Sequence, residues 1–126
     1  MVRKICLDSD VLIALLNKEA TPQHALESSE AILCITAINA FEIWYGRKDE
    51  ETVPELLAWL EVISISDAVA RLAADILRDL KKQGSILDFK DVFIAATCIV
   101  HNLELLTYNQ KHFVRLKKYG LKLVEQ

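Results

Sequence analysis

The chain has 126 residues, 52% hydrophobic and 26% charged, with a formal net charge of −3. That length suits a single domain over 1–126 that buries roughly two thirds of its unfolded surface, and the composition excludes a disordered or fibrous chain. The acidic balance argues against a protein that coats DNA, apolar runs such as 11–16 fall far short of the roughly 18 residues a membrane span needs, and Asp8 and Asp10 interrupt any signal-peptide core, so the expected setting is the cytoplasm with no membrane partner.

In chain order, residues 3–7 read as a strand, and 11–16 as a helix behind the cap candidates Asp8, Ser9 and Asp10. Thr21-Pro22 places proline at the first turn of a further helix. Residues 32–35 form a second strand candidate. A helix follows from about Thr36 and stops before Gly46, with Ala37, Ile38, Phe41, Trp44 and Tyr45 on its apolar side. Val53-Pro54 opens another helix, carrying Leu56, Leu57, Trp59 and Leu60. After a strand at 62–65 comes the clearest periodicity of the chain: Val69, Leu72, Ala73, Ile76, Leu77 and Leu80 recur at three and four residues, which predicts a helix over 66–83. Ser66 or Asp67 caps it, Lys81 and Lys82 suit its negative end, and Gly84 stops it. Residues 92–100 are apolar on almost every face apart from Thr97 and predict a buried helix. Strands at 104–107 and 121–124 complete the pattern. Strands separated by helical stretches imply parallel pairing and an α/β fold.

Cys6, Cys34 and Cys98 are odd in number and widely spaced in apolar segments, so buried reduced thiols are expected rather than disulfides or a CxxC site. Residues 101–126 hold Lys111, Arg115, Lys117, Lys118 and Lys122 against Glu104 and Glu125. That local excess weakly favours a phosphate-bearing partner.

Four oxygen-bearing residues stand where strands end or helices begin: Asp8, Glu42, Asp91 and Asn109. In open parallel sheets ligands sit beyond the carboxyl ends of strands, so side chains a hundred residues apart can converge there. Three carboxylates crowded together raise one another's pKa unless a cation such as Mg²⁺ or Mn²⁺ neutralises them. Metal-assisted phosphodiester chemistry is the reading this favours. Each residue also has a plain structural role: Asp8 as a cap, Asp91 or Asp88 as the cap of the buried helix, Glu42 as a snorkelling side chain, Asn109 as the cap of the last helix. Ser9 and Thr107 either orient carboxylates or bond the local backbone. His24, His101 and His112 show no metal spacing and are left out of the chemistry. There is no glycine-rich phosphate loop and no nucleophilic triad.

Four segments together resemble the PIN domain, specifically the VapC-type toxin ribonucleases of prokaryotic toxin–antitoxin pairs: 7–13 (LDSDVLI), 36–46 around Glu42, 91–96 (DVFIAA) and 105–113 (LLTYNQKHF). The resemblance spans nearly the whole chain. It implies a three-layer fold with a central parallel sheet of four to five strands flanked by helices, Mg²⁺- or Mn²⁺-dependent hydrolysis of RNA, a homodimer and a cognate antitoxin. By position, Asp8, Glu42 and Asp91 are similar to the family's three main acids. Asn109 takes the place of the fourth, often acidic in the family, and Asp88 is an extra acid nearby. Arg47, Lys48, Lys111 and Arg115 become candidates for holding the RNA backbone. Trp44, Tyr45, Leu57 and Trp59 either fill the core or form the homodimer and antitoxin surfaces.

Two rival readings remain at this point. A receiver-type signalling domain is also a compact acidic α/β unit, but it wants a phosphoacceptor aspartate ending a central strand and a lysine after a late one, where this chain has Tyr108-Asn109. A catalytically idle PIN-fold binding module would keep the fold and use only its surface.

Overall fold

The computed structural model of the protein describes residues 3–17, 31–46 and 51–125. The helix read from Thr21-Pro22, together with His24, Arg47 and Lys48, lies outside the described residues. Among the described residues five strands form one sheet: β1 (Lys4–Leu7), β2 (Ile32–Thr36), β3 (Glu61–Ile63), β4 (Glu104–Leu106) and β5 (Lys122–Leu123). Their order is β3-β2-β1-β4-β5 and every neighbouring pair is parallel. The helices are α1 (Ser9–Leu16), α2 (Ala37–Gly46), α3 (Thr52–Ala58), α4 (Asp67–Lys82), α5 (Phe89–Val100) and α6 (Gln110–Phe113), with a 3-10 turn at Val114–Tyr119.

Alternation along the strands sends successive side chains to two separate cores. Ile5 and Leu7 of β1 pack with Val11, Leu12, Ile43 and Val53 on one face. Cys6 faces the other side with Val69, Ala73, Ile76, Leu80 and Val92 from α4 and α5. A sheet buried on both sides explains why its strands read as nearly unbroken apolar runs. All three cysteines are free and buried, and no described helix is long and apolar enough to cross a membrane.

The amphipathic pattern of α4 is realised residue by residue. Ser66 Oγ accepts the Val69 N–H at 3.2 Å, and at the other end Gly84 takes φ +71°. That left-handed residue lets Ser85 N–H reach Leu80 O and Gly84 N–H reach Lys81 O, which satisfies the last carbonyls of the helix. Strand ends differ from the expected ones by one or two residues. The largest difference is at β3, an edge strand that stops at Ile63 because residues 64–66 leave the sheet to cap α4.

One expected face is turned round. On α2 the fully enclosed residues are Asn39 and Ile43, whereas Phe41, Trp44 and Tyr45 are exposed and Phe41 stacks on Tyr45 with ring centroids 5.7 Å apart. The helix packs against α1 and α5, and the face that meets them is buried even though it carries an amide. Core filling therefore does not account for Trp44, Tyr45 or Trp59, which are 48%, 81% and 84% exposed.

Candidate active site

The sheet order makes β1 the pivot: the chain runs from it to β2 and β3 on one side and returns to β4 on the other. Crevices at such reversals, beyond the strand ends, are where parallel sheets place ligands. Asp8 follows Leu7 there, and its N–H donates to Leu106 O at 2.9 Å, extending the β1–β4 pairing by one residue. Asp8 then caps α1, with Oδ1 accepting the Ser9 N–H at 2.8 Å. Capping uses one of the two carboxylate oxygens. Oδ2 accepts the Thr107 hydroxyl at 2.7 Å, so the two strand ends are tied side chain to side chain.

Thr107 is fully buried and serves three groups. Its hydroxyl lies 3.4 Å from Asp10 Oδ2 and accepts the Asn109 N–H at 3.0 Å. Asp10 also accepts the Tyr108 N–H at 3.2 Å. From β2 and α2, Asn39 donates to Asp8 Oδ1 at 3.3 Å and to Ser9 Oγ at 3.0 Å. Ser9 in turn donates to Glu42 Oε1 at 2.8 Å. Glu42 thus joins Asp8 through Ser9, which lies 33 residues before it in sequence.

Asp91 enters from α5. Asp88 caps that helix by accepting the Lys90 N–H at 2.9 Å, which leaves the Asp91 side chain free to face Asp8. Burial, then the charges of Asp8 and Asp88, push the Asp91 carboxyl above its ordinary pKa, against a lowering contribution from His112. The Asp10 carboxyl is raised in the same way, by burial first and Asp8 second. Negative charge has gathered here without enough cationic partner to offset it.

Asp8, Ser9, Glu42, Asp91 and Thr107 thus meet at one edge, with Asp88 as the neighbouring cap. Asn109 differs from expectation. Its side chain is exposed and makes no capping hydrogen bond, while its backbone N–H donates to Thr107. Lys111 is exposed on α6. Arg115 bonds Ser85 Oγ at 2.9 Å and Ile86 O at 3.4 Å, so it ties down the turn before α5. His112, left out of the chemistry by its sequence spacing, lies beside Asp91, Nδ1 to Oδ2 3.6 Å. Asp10 and Asn39 are members that the sequence reading did not assign to the site. The signal for Asn39 was its place three residues after Thr36 and three before Glu42, a helical spacing that puts it on the side of Glu42.

A family model for the PIN domain matches residues 5–119. The chain belongs to the PIN-domain family. Among its relatives, ribonuclease VapC1 of Methanocaldococcus jannaschii is 34% identical over 123 residues, covering 98% of this chain and 88% of that protein. Ribonuclease VapC10 of Mycobacterium tuberculosis is 34% identical over 113 residues, covering 86% and 85%. The solved VapBC2 structure from Rickettsia felis, bound to a DNA fragment from the promoter, has a TM-score of 0.81 at 25% identity and covers 95% of this chain and 96% of its counterpart. Membership of the PIN-domain family removes the receiver-type alternative, since the Asp8, Glu42 and Asp91 segments lie inside the matched span.

The donor set of this PIN-domain site suits a hard cation: every charged candidate ligand offers oxygen. Among the described residues no three acidic, histidine or cysteine side chains are grouped closely enough to hold a metal ion by themselves. Mg²⁺ does not require such a group, because it binds through one or two carboxylates and completes its shell with water and phosphate.

Proposed function

We propose that the protein is a VapC-type toxin: an endoribonuclease that depends on Mg²⁺ or Mn²⁺ and is held inactive by a cognate antitoxin. The observation that carries this reading is the gathering of Asp8, Asp10, Asp91 and the Ser9–Glu42 pair beyond the carboxyl ends of β1 and β4, with Asp10 and Asp91 destabilised as anions. The names of its relatives, ribonuclease VapC1 and VapC10, support the reaction class. Asp8 and Asp91 are the residues to hold the cation, with Glu42 completing the site. When bound, the cation supplies Lewis-acid stabilisation of the charge on the phosphate and eases deprotonation of an attacking water. Thr107 and Asn39 fix the Asp8 carboxylate from two sides. Ser9 turns Glu42 inward, and His112 sits where it can share a proton with Asp91 or contact a phosphate oxygen. Lys111 is the described basic candidate for the RNA backbone.

The antitoxin reading is supported by VapBC complexes among the structural neighbours. A groove of about 240 Å³ lined by Leu15, Leu16, Thr52, Glu55, Leu56 and Trp59, together with the exposed Trp44 and Tyr45, provides apolar surface for the antitoxin and a second protomer.

The test is direct. Purified protein freed of antitoxin should cleave single-stranded or loop RNA with Mg²⁺ or Mn²⁺ and stop on addition of EDTA, and Asp8→Asn or Asp91→Asn should each abolish turnover while circular dichroism stays native. Cleavage that survives EDTA and both substitutions would end the metal-dependent reading. A folded protein that binds its antitoxin and never cleaves RNA would leave only the idle module.

A further inference from the structure

Thr36 is the last residue of β2 and the cap of α2. Its Oγ accepts the Asn39 N–H at 3.2 Å, and Asn39 Oδ1 accepts the Thr36 N–H at 3.0 Å and the Thr36 hydroxyl at 2.7 Å. This is a reciprocal capping box, with asparagine where glutamate or glutamine is usual. The difference matters, because a glutamate in that place would cap and then have nothing left to donate. Asparagine caps with its oxygen and keeps two N–H groups. With Oδ1 committed to Thr36, the amide can take only one orientation, and Nδ2 must face Ser9 Oγ at 3.0 Å and Asp8 Oδ1 at 3.3 Å. Asn39 is fully buried.

We propose that Asn39 is a positioning residue that couples Asp8 to Glu42, an inference that rests on the metal-dependent reading above. A serine hydroxyl has one proton. Because Ser9 Oγ receives the Asn39 N–H, its own proton is directed to Glu42 Oε1, 2.8 Å away. The second Asn39 N–H holds Asp8 Oδ1, while Asp8 Oδ2 accepts the Thr107 hydroxyl, so the carboxylate is fixed from both sides. One buried amide therefore aligns two carboxylates that lie 34 residues apart, and it does so from the first turn of α2.

Residues that orient metal ligands typically change affinity by about 10- to 100-fold when altered. Asn39→Asp keeps the capping oxygen and removes the donors. Calorimetric titration of full-length protein with Mn²⁺ should show binding weakened about 10- to 100-fold in Asn39→Asp and about 10-fold in Ser9→Ala, with the double variant less than additive. Ser66→Ala removes the side-chain cap of α4, which makes no contact with these carboxylates, so it should lower the melting temperature and leave Mn²⁺ affinity unchanged. Unaltered affinity in Asn39→Asp, or affinity that simply follows melting temperature through all the variants, overturns the inference. If Asn39→Asp does not fold, Ser9→Ala carries the same test, and wild-type affinity there overturns it. Wild-type protein that binds no Mn²⁺ overturns this inference and the reading beneath it, an outcome distinct from a variant that binds normally.

Discussion

β1 and β4 lie side by side and carry charge at both ends, but the two ends are built differently. At the amino edge the Arg3 guanidinium grips Glu104 with two hydrogen bonds of 2.8 Å, and the Glu104 carboxyl is held below its ordinary pKa by that partner. At the carboxyl edge Asp8, Asp10 and Asp91 gather with no arginine or lysine paired to them among the described residues, and Asp10 and Asp91 are raised. One end is neutralised from within the fold. The other is assembled at a cost in electrostatic repulsion, which a chain tolerates when the missing charge comes from a ligand.

The sharpest way to break this contrast is to give the carboxyl edge its own cation. Asp91→Lys should abolish Mn²⁺ binding and RNA cleavage altogether while the metal-free protein melts no lower than wild type. Retained Mn²⁺ binding, read by calorimetry, would show that the acids are not a cation site. Thr107→Val comes next in effect. It leaves Asp8 Oδ2 and the Asn109 N–H without their buried partner, at a cost of about 1–3 kcal/mol in chemical denaturation.

A smaller effect concerns pH. The folded Asp91 pKa lies above its ordinary value of 3.8, so between those two values the folded state binds more protons than the unfolded state and stability falls as pH rises. The penalty is fully present above the raised pKa and absent below 3.8. Metal-free Asp91→Asn should therefore melt above wild type at neutral pH, and the advantage should vanish as the pH is lowered through that window. An advantage that grows on acidification would reverse the sign. The smallest effect belongs to the amino edge. The Arg3–Glu104 pair is partly exposed, so Glu104→Gln should lower stability only slightly, lose that effect in high salt and leave RNA cleavage unchanged.

Local patterns carried much of the fold. The α4 stripe from Val69 to Leu80, its cap and its Gly84 stop are interactions within three to five residues; stripe and stop appear as read, and of the two cap candidates Ser66 is the one that caps. Asp88 serving as the cap, which frees Asp91, was one of two alternatives that spacing left open, and the Lys90 N–H decides it. The facing of α2 was misread because a helical wheel ranks faces by hydrophobicity. This helix buries an amide instead, since the Asn39 side chain makes four hydrogen bonds inside, to Thr36, Asp8 and Ser9, and Phe41 and Tyr45 find each other outside.

What the residues determine along the chain is therefore the element list, most of the caps and the presence of acids at strand ends and helix mouths. Only tertiary structure decides which of those acids meet. Thr107 reaches Asp8 across 99 residues because β4 inserts beside β1, and Asp91 finds His112 because α6 packs against α5. That placement is set by burying two cores at once, and the hydrophobic effect that drives it acts on surface area, leaving no mark in the spacing of the polar residues it brings together.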